Sequence, residues 1–282
     1  MQFLLALLVS VLLAQQPAPE SLRKQQMISS TISMAGINIP TYGLLGGAGF
    51  FCGLVYLLLR CREKMQRENA VYIYVFAALF AMLGAKILYL LVSAKDIIAA
   101  YGNTTNYLGL TIELLRGGFV FYGGLIGALI GINVMTKYYG LEKRDYTYIM
   151  VPCIPLVHGF GRIGCHLVGC CYGVETHSHF FHVTYQNSVY APNNVSLVPV
   201  QLTEAVVEFI LFIVLVALGI KLKNKSLILP IYLIAYPVCR FVLEFFRGDK
   251  IRGIYGGLST SQWISLLLVV YAIYEIIRNR KN

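Results

Sequence analysis

The chain has 282 residues, of which 57% are hydrophobic and 13% charged, and its mean hydropathy is +0.68. Soluble domains carry about 25% charged residues, so this composition excludes an ordinary soluble protein and points to an all-α polytopic membrane protein. The net charge of +10 would suit nucleic acid, but it falls in loops between apolar runs and reads as a topology signal, with no nucleic-acid partner.

Residues 1–35 read as an N-terminal extracytoplasmic or signal-like segment. Within it, "FLLALLVSVLLA" (3–14) is too short to span a bilayer and precedes the small-residue exit "LAQQPAPE". The basic start of a secretory signal is missing. A cleaved signal and a retained interfacial helix both fit, so removal of residues 1–15 stays open. Either keeps the next residues outside.

A span needs about 20 mostly apolar residues. Seven segments qualify, near 42–59, 70–92, 118–136, 147–170, 202–220, 227–246 and 260–277, and make residues 36–282 one transmembrane domain. "RCREKMQREN" follows the first span, "KYYGLEKRD" the third, "KLKNK" the fifth and "RNRKN" the seventh. The alternate loops are poor in lysine and arginine, apart from Arg247, Lys250 and Arg252 after the sixth span. Positive charge marks the cytoplasmic side, which puts the N-terminus outside and the C-terminus in the cytoplasm.

Two outer segments are long enough for structure of their own. Residues 93–117 read as a surface arm with short amphipathic pieces. Residues 173–200 read as a small cap with strand-like runs such as "FFHVTY". Its histidines, His177, His179 and His182, fit an ordinary exposed loop better than a metal site. In "FYGGLIGALIG", Gly123, Gly127 and Gly131 recur every four residues, the spacing that lets helices approach closely in membranes. Gly123 and Gly124 also suit a backbone that approaches an anionic headgroup.

Arg162 and Arg240 fall inside apolar spans, where an arginine costs at least ~2.5–3.5 kcal/mol and marks a functional cavity. Tyr236, Arg240, Glu244 and Arg247, spaced four, four and three apart, predict one stripe on a helix. A purely structural Arg240–Glu244 ion pair is the competing reading. Around Arg162 the glycines 159, 161, 164, 169 and 173 predict a broken helix, since each costs about 1 kcal/mol in a helix interior. Two guanidiniums meeting at one cavity fit a phosphate-bearing ligand, in a membrane most simply a phospholipid.

Seven stretches, in order from about residue 36 to 277, resemble the prolipoprotein diacylglyceryl transferases of bacteria. "INIPTYGL" is similar to the family's Tyr-Gly-Leu motif, and "GAKILYLL" to its Gly-Ala-Arg stretch with Lys86 for the arginine. "FVFYGGLIG" is similar to the His-Gly-Gly segment, and "HGFGRIGCHLVGCCYG" to the Gly-Arg-x-x-Asn signature. "VPVQLTEAVVE" resembles Pro-x-Gln-Leu-x-Glu. "YPVCRFVLEFFR" resembles Tyr-Gly-x-x-Arg-Phe-x-x-Glu-x-x-Arg, and "GLSTSQWISL" resembles Gly-Leu-Ser-x-x-Gln. The resemblance implies transfer of diacylglyceryl from phosphatidylglycerol to the thiol of a prolipoprotein lipobox cysteine, in the bacterial cytoplasmic membrane and without a cofactor or metal.

On that resemblance Arg162 and Arg240 stabilise the leaving phosphate, and Tyr122 stands third in the catalytic set. Tyr42, Gly123, Gly124, Gly173, Tyr236, Glu244 and Arg247 form the substrate-binding set. Tyr42 and Tyr236 orient the headgroup, and Glu244 holds Arg240. The departures are as specific as the matches. Tyr122 replaces the family's histidine, Cys165 and Val168 replace asparagines, and Cys170 replaces a glutamate. A phenol with a pKa near 10 is a reluctant base, and His158 and His166 are the other candidates for that task. A phospholipid-binding or transport protein without catalysis, a transferase with another donor or acceptor, and a membrane thiol–redox protein are the alternatives.

"GRIGCHLVGCCYG" also leaves its thiols open. Cys165, Cys170 and Cys171 fit small buried packing residues, a disulfide such as Cys165–Cys170, or a metal or redox role. C-x4-C-C matches none of the usual zinc spacings, and adjacent cysteines rarely point the same way.

Overall fold

At membrane depth no water satisfies an open backbone, so apolar runs become helices. A computed structural model describes residues 31–34, 37–116, 119–188, 190–249 and 254–280. The signal-like stretch 3–14 lies outside the described residues. Strands β1 (Thr31–Met34) and β2 (Ile37–Pro40) form an antiparallel hairpin that leads into helix α1 (Thr41–Arg60). The described residues divide into two compact units, those of 61–146 forming one and those of 31–60 with 147–280 the other.

The first unit holds α2 (Lys64–Val92), α3 (Ala94–Gly102), α4 (Tyr107–Arg116) and α5 (Phe121–Tyr138). The glycines of α5 lie against α2. A Cβ at Gly123 would strike the carbonyl of Gly84, one at Gly127 that of Phe80, and one at Gly131 would come within 2.9 Å of Ala77 Cα. The four-residue spacing is therefore a helix-packing stripe. Gly124 is looser, its added Cβ meeting Ala81 O at 3.5 Å. Lys86 donates its ammonium to the carbonyl of Leu114, and that ammonium lies 5.0 Å from the Phe119 ring centroid. Gly127→Val should cost about 1–3 kcal/mol by overpacking, read as a lower unfolding midpoint in detergent.

The second unit holds α1, α7 (Cys153–Val168), α8 (Val200–Lys221), α9 (Ile228–Leu243) and α10 (Thr260–Arg280). Helix α7 packs between α1 and α8, and α9 packs on α8 and α10. Leu215, Ile228, Tyr232 and Ile264 are fully buried between them. The start of α10 follows from its sequence. Ser259 Oγ accepts from Gln262 N at 3.3 Å, and Gln262 Oε1 accepts from Ser259 N at 2.9 Å. This is the reciprocal capping box of S-x-x-Q. Short strands β3 (Val183–Thr184) and β4 (Ser196–Leu197) pair in the segment after α7, and β5 (Ile254–Tyr255) pairs with β6 (Leu258–Ser259) before α10. His177, His179 and His182 are exposed.

Among the described residues, six helical stretches are long and apolar enough to cross a membrane: Thr41–Arg60, Lys64–Leu91, Lys143–Val168, Val200–Lys221, Lys225–Phe246 and Thr260–Arg278. Six of the seven expected spans are thus present by length and composition. The seventh, at 118–136, is the 18-residue α5, and its glycines, Asn133 and Lys137 leave it less apolar. The span near 147–170 is made of α6 (Lys143–Met150) and α7, interrupted by a turn at Val151 and Pro152. Proline at that point cannot donate to the preceding turn.

The expected break around Arg162 is absent, and α7 runs as a regular helix through Gly159, Gly161 and Gly164. Those glycines serve close contacts instead. A Cβ at Gly159 would come within 2.8 Å of the Phe209 ring, and one at Gly164 within 3.0 Å of the Tyr42 ring. The helix stops where Gly169 turns left-handed at φ +81°, the usual glycine helix stop.

Candidate active site

Four charged side chains on three helices meet in the second unit. Helix α7 supplies Arg162, α8 supplies Glu204, α9 supplies Arg240, and Glu244 opens the 3-10 turn Glu244–Phe246 that continues α9. All four are at least nine-tenths buried. Burying a charge is costly unless it is paired, and each of these has an ion-pair partner. Arg162 Nη2 pairs with Glu204 Oε2. Arg240 Nη1 donates to the same oxygen at 3.1 Å, and its Nη2 lies 2.7 Å from Glu244 Oε2. Tyr236 donates its hydroxyl to Glu204 Oε1 at 3.4 Å. Glu204 is therefore the hub, with both guanidiniums and one phenol on a single carboxylate.

One turn further along α8, Glu208 Oε1 bonds His158 Nδ1, which fixes the orientation of that imidazole. The His158 ring meets Tyr236 edge-on at 5.3 Å, and Tyr236 stacks on Tyr232 at 5.8 Å. Buried polar atoms at the site also stay uncommitted. Arg162 Nε and Glu208 Oε2 are buried with no hydrogen-bond partner among the described residues.

Tyr236, Arg240 and Glu244 share the face that the spacing indicates, but Arg247 leaves it. The helix has ended by then, and Arg247 has extended backbone at φ −82°, ψ 136°. Its side chain pairs with Asp249, Nε donating to Oδ1 at 3.0 Å. Arg247 bridges by its backbone to Gly173, and there glycine is required by space. A Cβ at Gly173 would strike the carbonyl of Val198. Tyr42 lies across α7, its hydroxyl 3.8 Å from where a Cβ on Gly161 would be, and is about half exposed. Tyr122, Gly123 and Gly124 belong to the other unit, at the start of α5, where the Tyr122 ring meets Phe121 edge-on at 5.6 Å.

The thiols adjoin the arginines. Arg162 Nη1 lies 3.8 Å from Cys165 Sγ, and the sulfurs of Cys165, Cys170 and Cys171 all fall within 4.8 Å of one another. No disulfide joins the cysteines of the described residues. Gln201, fully buried at the start of α8, donates to the Cys170 carbonyl at 2.8 Å and to Tyr185 Oη at 3.3 Å. Burial pushes the Tyr185 phenol up to about 12, so it stays protonated and donates to the His166 carbonyl at 3.1 Å.

Sequence reasoning did not single out Glu204 and Glu208, although the signal was present. Two carboxylates four residues apart in an apolar span are as costly as Arg162 and Arg240.

The family model described as prolipoprotein diacylglyceryl transferase matches residues 29–278. The chain is 35% identical over 242 residues to the phosphatidylglycerol–prolipoprotein diacylglyceryl transferase 2 of Clostridium perfringens, covering 84% of this chain and 90% of that protein. It is 33% identical over 250 residues to the phosphatidylglycerol–prolipoprotein diacylglyceryl transferase of Clostridium tetani, covering 88% and 96%. The protein of that name from Acinetobacter baylyi is 26% identical over 253 residues, covering 87% and 89%. With a match that spans almost the whole chain and relatives aligned over nearly their full length, this multi-pass membrane protein belongs to the prolipoprotein diacylglyceryl transferase family.

Proposed function

We propose that the chain transfers the diacylglyceryl group of phosphatidylglycerol to the cysteine thiol of a prolipoprotein lipobox, forming a thioether and releasing glycerol phosphate. The observation that carries this is the convergence of Arg162 and Arg240 on Glu204. The scissile carbon–oxygen bond joins glyceryl carbon to a phosphodiester that bears one negative charge. As it breaks, the phosphate gains a second charge, and donors fixed where charge develops do most of the catalytic work. Glu204 and Glu244 hold the two forks in register before lipid arrives. The headgroup phosphate then competes with Glu204 for them, and Arg162 Nε, uncommitted at this point, offers a further donor.

In this reading Tyr236 and Tyr42 orient the glycerol headgroup by hydrogen bonding. Gly173 and Arg247 shape the joint between the outer segment and the end of α9. Tyr122 stands at the sequence position of the family's histidine, followed by Gly123 and Gly124. The protein lies in the bacterial cytoplasmic membrane with its N-terminus outside, its C-terminus in the cytoplasm and residues 173–200 on the outer side. The basic loops support that orientation.

The test uses purified protein in phosphatidylglycerol nanodiscs with a synthetic lipobox peptide. Mass spectrometry should show the peptide gaining one diacylglyceryl group, and no gain with Arg240→Ala. If the peptide is unchanged while phospholipid still co-purifies in an Arg240-dependent way, the chain is a lipid-binding protein without this activity.

A further inference from the structure

The proposed reaction leaves a chemical gap and an unused group of residues. The acceptor thiol must become a thiolate to attack carbon, yet Tyr122 replaces the histidine that the family offers. Three thiols stand beside Arg162 with no task. Their geometry is specific. Adjacent cysteines on helical or extended backbone diverge, but here Gly169 ends α7 at φ +81° and Cys171 is itself left-handed at φ +58°. That conformation is uncommon for any residue but glycine, and it lets the Cys171 sulfur converge with those of Cys170 and Cys165. Gln201 clamps the Cys170 carbonyl from α8 at 2.8 Å, so the turn is tied to the helix that carries Glu204. The three sulfurs lie within 4.8 Å of one another. Zinc–sulfur bonds of about 2.3 Å in a tetrahedron need sulfur pairs roughly 3.8 Å apart, so metal binding requires a contraction of at most about 1 Å.

We propose that Cys165, Cys170 and Cys171 hold one zinc ion, whose fourth position takes the lipobox cysteine of the prolipoprotein as a thiolate. This rests on the transferase reading and supplies its missing step. Three protein ligands and one open position are the pattern of catalytic zinc, soft thiolates select it, and a coordinating thiol is deprotonated outright. Before substrate arrives the open position holds hydroxide. The incoming thiol gives its proton to that hydroxide, which leaves as water, and the sulfur bonds to zinc. A sulfur electron pair then forms the carbon–sulfur bond to the glyceryl carbon, while the carbon–oxygen pair departs on the phosphate held by Arg162 and Arg240. Nothing is oxidised or reduced. The uncharged thioether binds zinc weakly and leaves, and a water takes its place and loses a proton to solvent, which restores the hydroxide. Arg162 Nη1, 3.8 Å from Cys165 Sγ, makes the two half-sites contiguous.

The test measures metal and turnover separately on the full chain in nanodiscs. Elemental analysis should find one zinc per chain in the wild type and in Cys52→Ser, and none in Cys165→Ser or Cys171→Ser. Cobalt(II) exchanged into the wild type should give a sulfur-to-cobalt charge-transfer band. A lipobox peptide added without phosphatidylglycerol should raise that band by about one third, as three thiolates become four. Its Cys→Ser analogue should leave the band unchanged. The cobalt measurement needs no cysteine variant to fold. A metal-free wild type that still lipidates the peptide would overturn the zinc site and leave the transferase standing, as would a Cys165–Cys170 disulfide in the active protein. A cobalt band that ignores the peptide would overturn the thiolate step. Zinc binding with peptide ligation but no lipidation would instead support the metal site and sink the proposed reaction.

Discussion

Arg240→Lys should lower diacylglyceryl transfer by about 10²–10³-fold, the loss that follows removal of one fixed donor to a developing anion. The Arg240 fork spans two carboxylates, Nη1 on Glu204 and Nη2 on Glu244. A lysine ammonium is a point charge that cannot bridge both and also face a phosphate in a fixed plane. The unfolding midpoint in detergent should fall far less than turnover does, because the charge is retained between the same two acids. Turnover by mass spectrometry and unfolding by intrinsic fluorescence separate the two effects. A lysine variant within about tenfold of wild type would show that charge without geometry suffices. That outcome would remove the fixed two-carboxylate geometry of Arg240 from the account of catalysis while leaving the transfer activity itself standing.

Glu204→Ala should be the most damaging single change to stability. The carboxylate is 1% exposed and holds Arg162, Arg240 and Tyr236 together. Removing one partner of a buried ion pair leaves uncompensated charge at a cost of about 3–5 kcal/mol. Here two guanidiniums are released toward each other, although Arg240 keeps Glu244. Glu204→Gln keeps an acceptor oxygen and should be milder. Because the alanine variant frees the anion position, inorganic phosphate or glycerol phosphate should raise its unfolding midpoint more than that of the wild type. An equal response in both proteins would mean that the arginines do not present a phosphate site.

The sequence alone determined the features that depend on local chemistry. Apolar runs of span length became helices because a bilayer permits little else. The Gly123–Gly127–Gly131 stripe marked a close helix contact, and two arginines in apolar spans marked the place where charge had to be explained. A helical period also put Tyr236, Arg240 and Glu244 on one face.

Only the tertiary structure decided what those faces meet. Periodicity says which side of a helix is polar, but not which helix lies opposite. Glu204 is 42 residues from Arg162 and 36 from Arg240 in the chain, and nothing local in sequence ties the three together. The glycines around Arg162 carry a helix-breaking propensity of about 1 kcal/mol each, yet the helix persists. The space they leave is filled by Tyr42 and Phe209, and tertiary contacts outweigh propensity. Arg247 fits the stripe by spacing but falls past the end of the helix, a boundary that spacing cannot see. The convergence of Cys165, Cys170 and Cys171 depends on two left-handed residues, Gly169 and Cys171. A left-handed cysteine is held by its surroundings rather than by its own preference, so only the folded chain could bring the three sulfurs together.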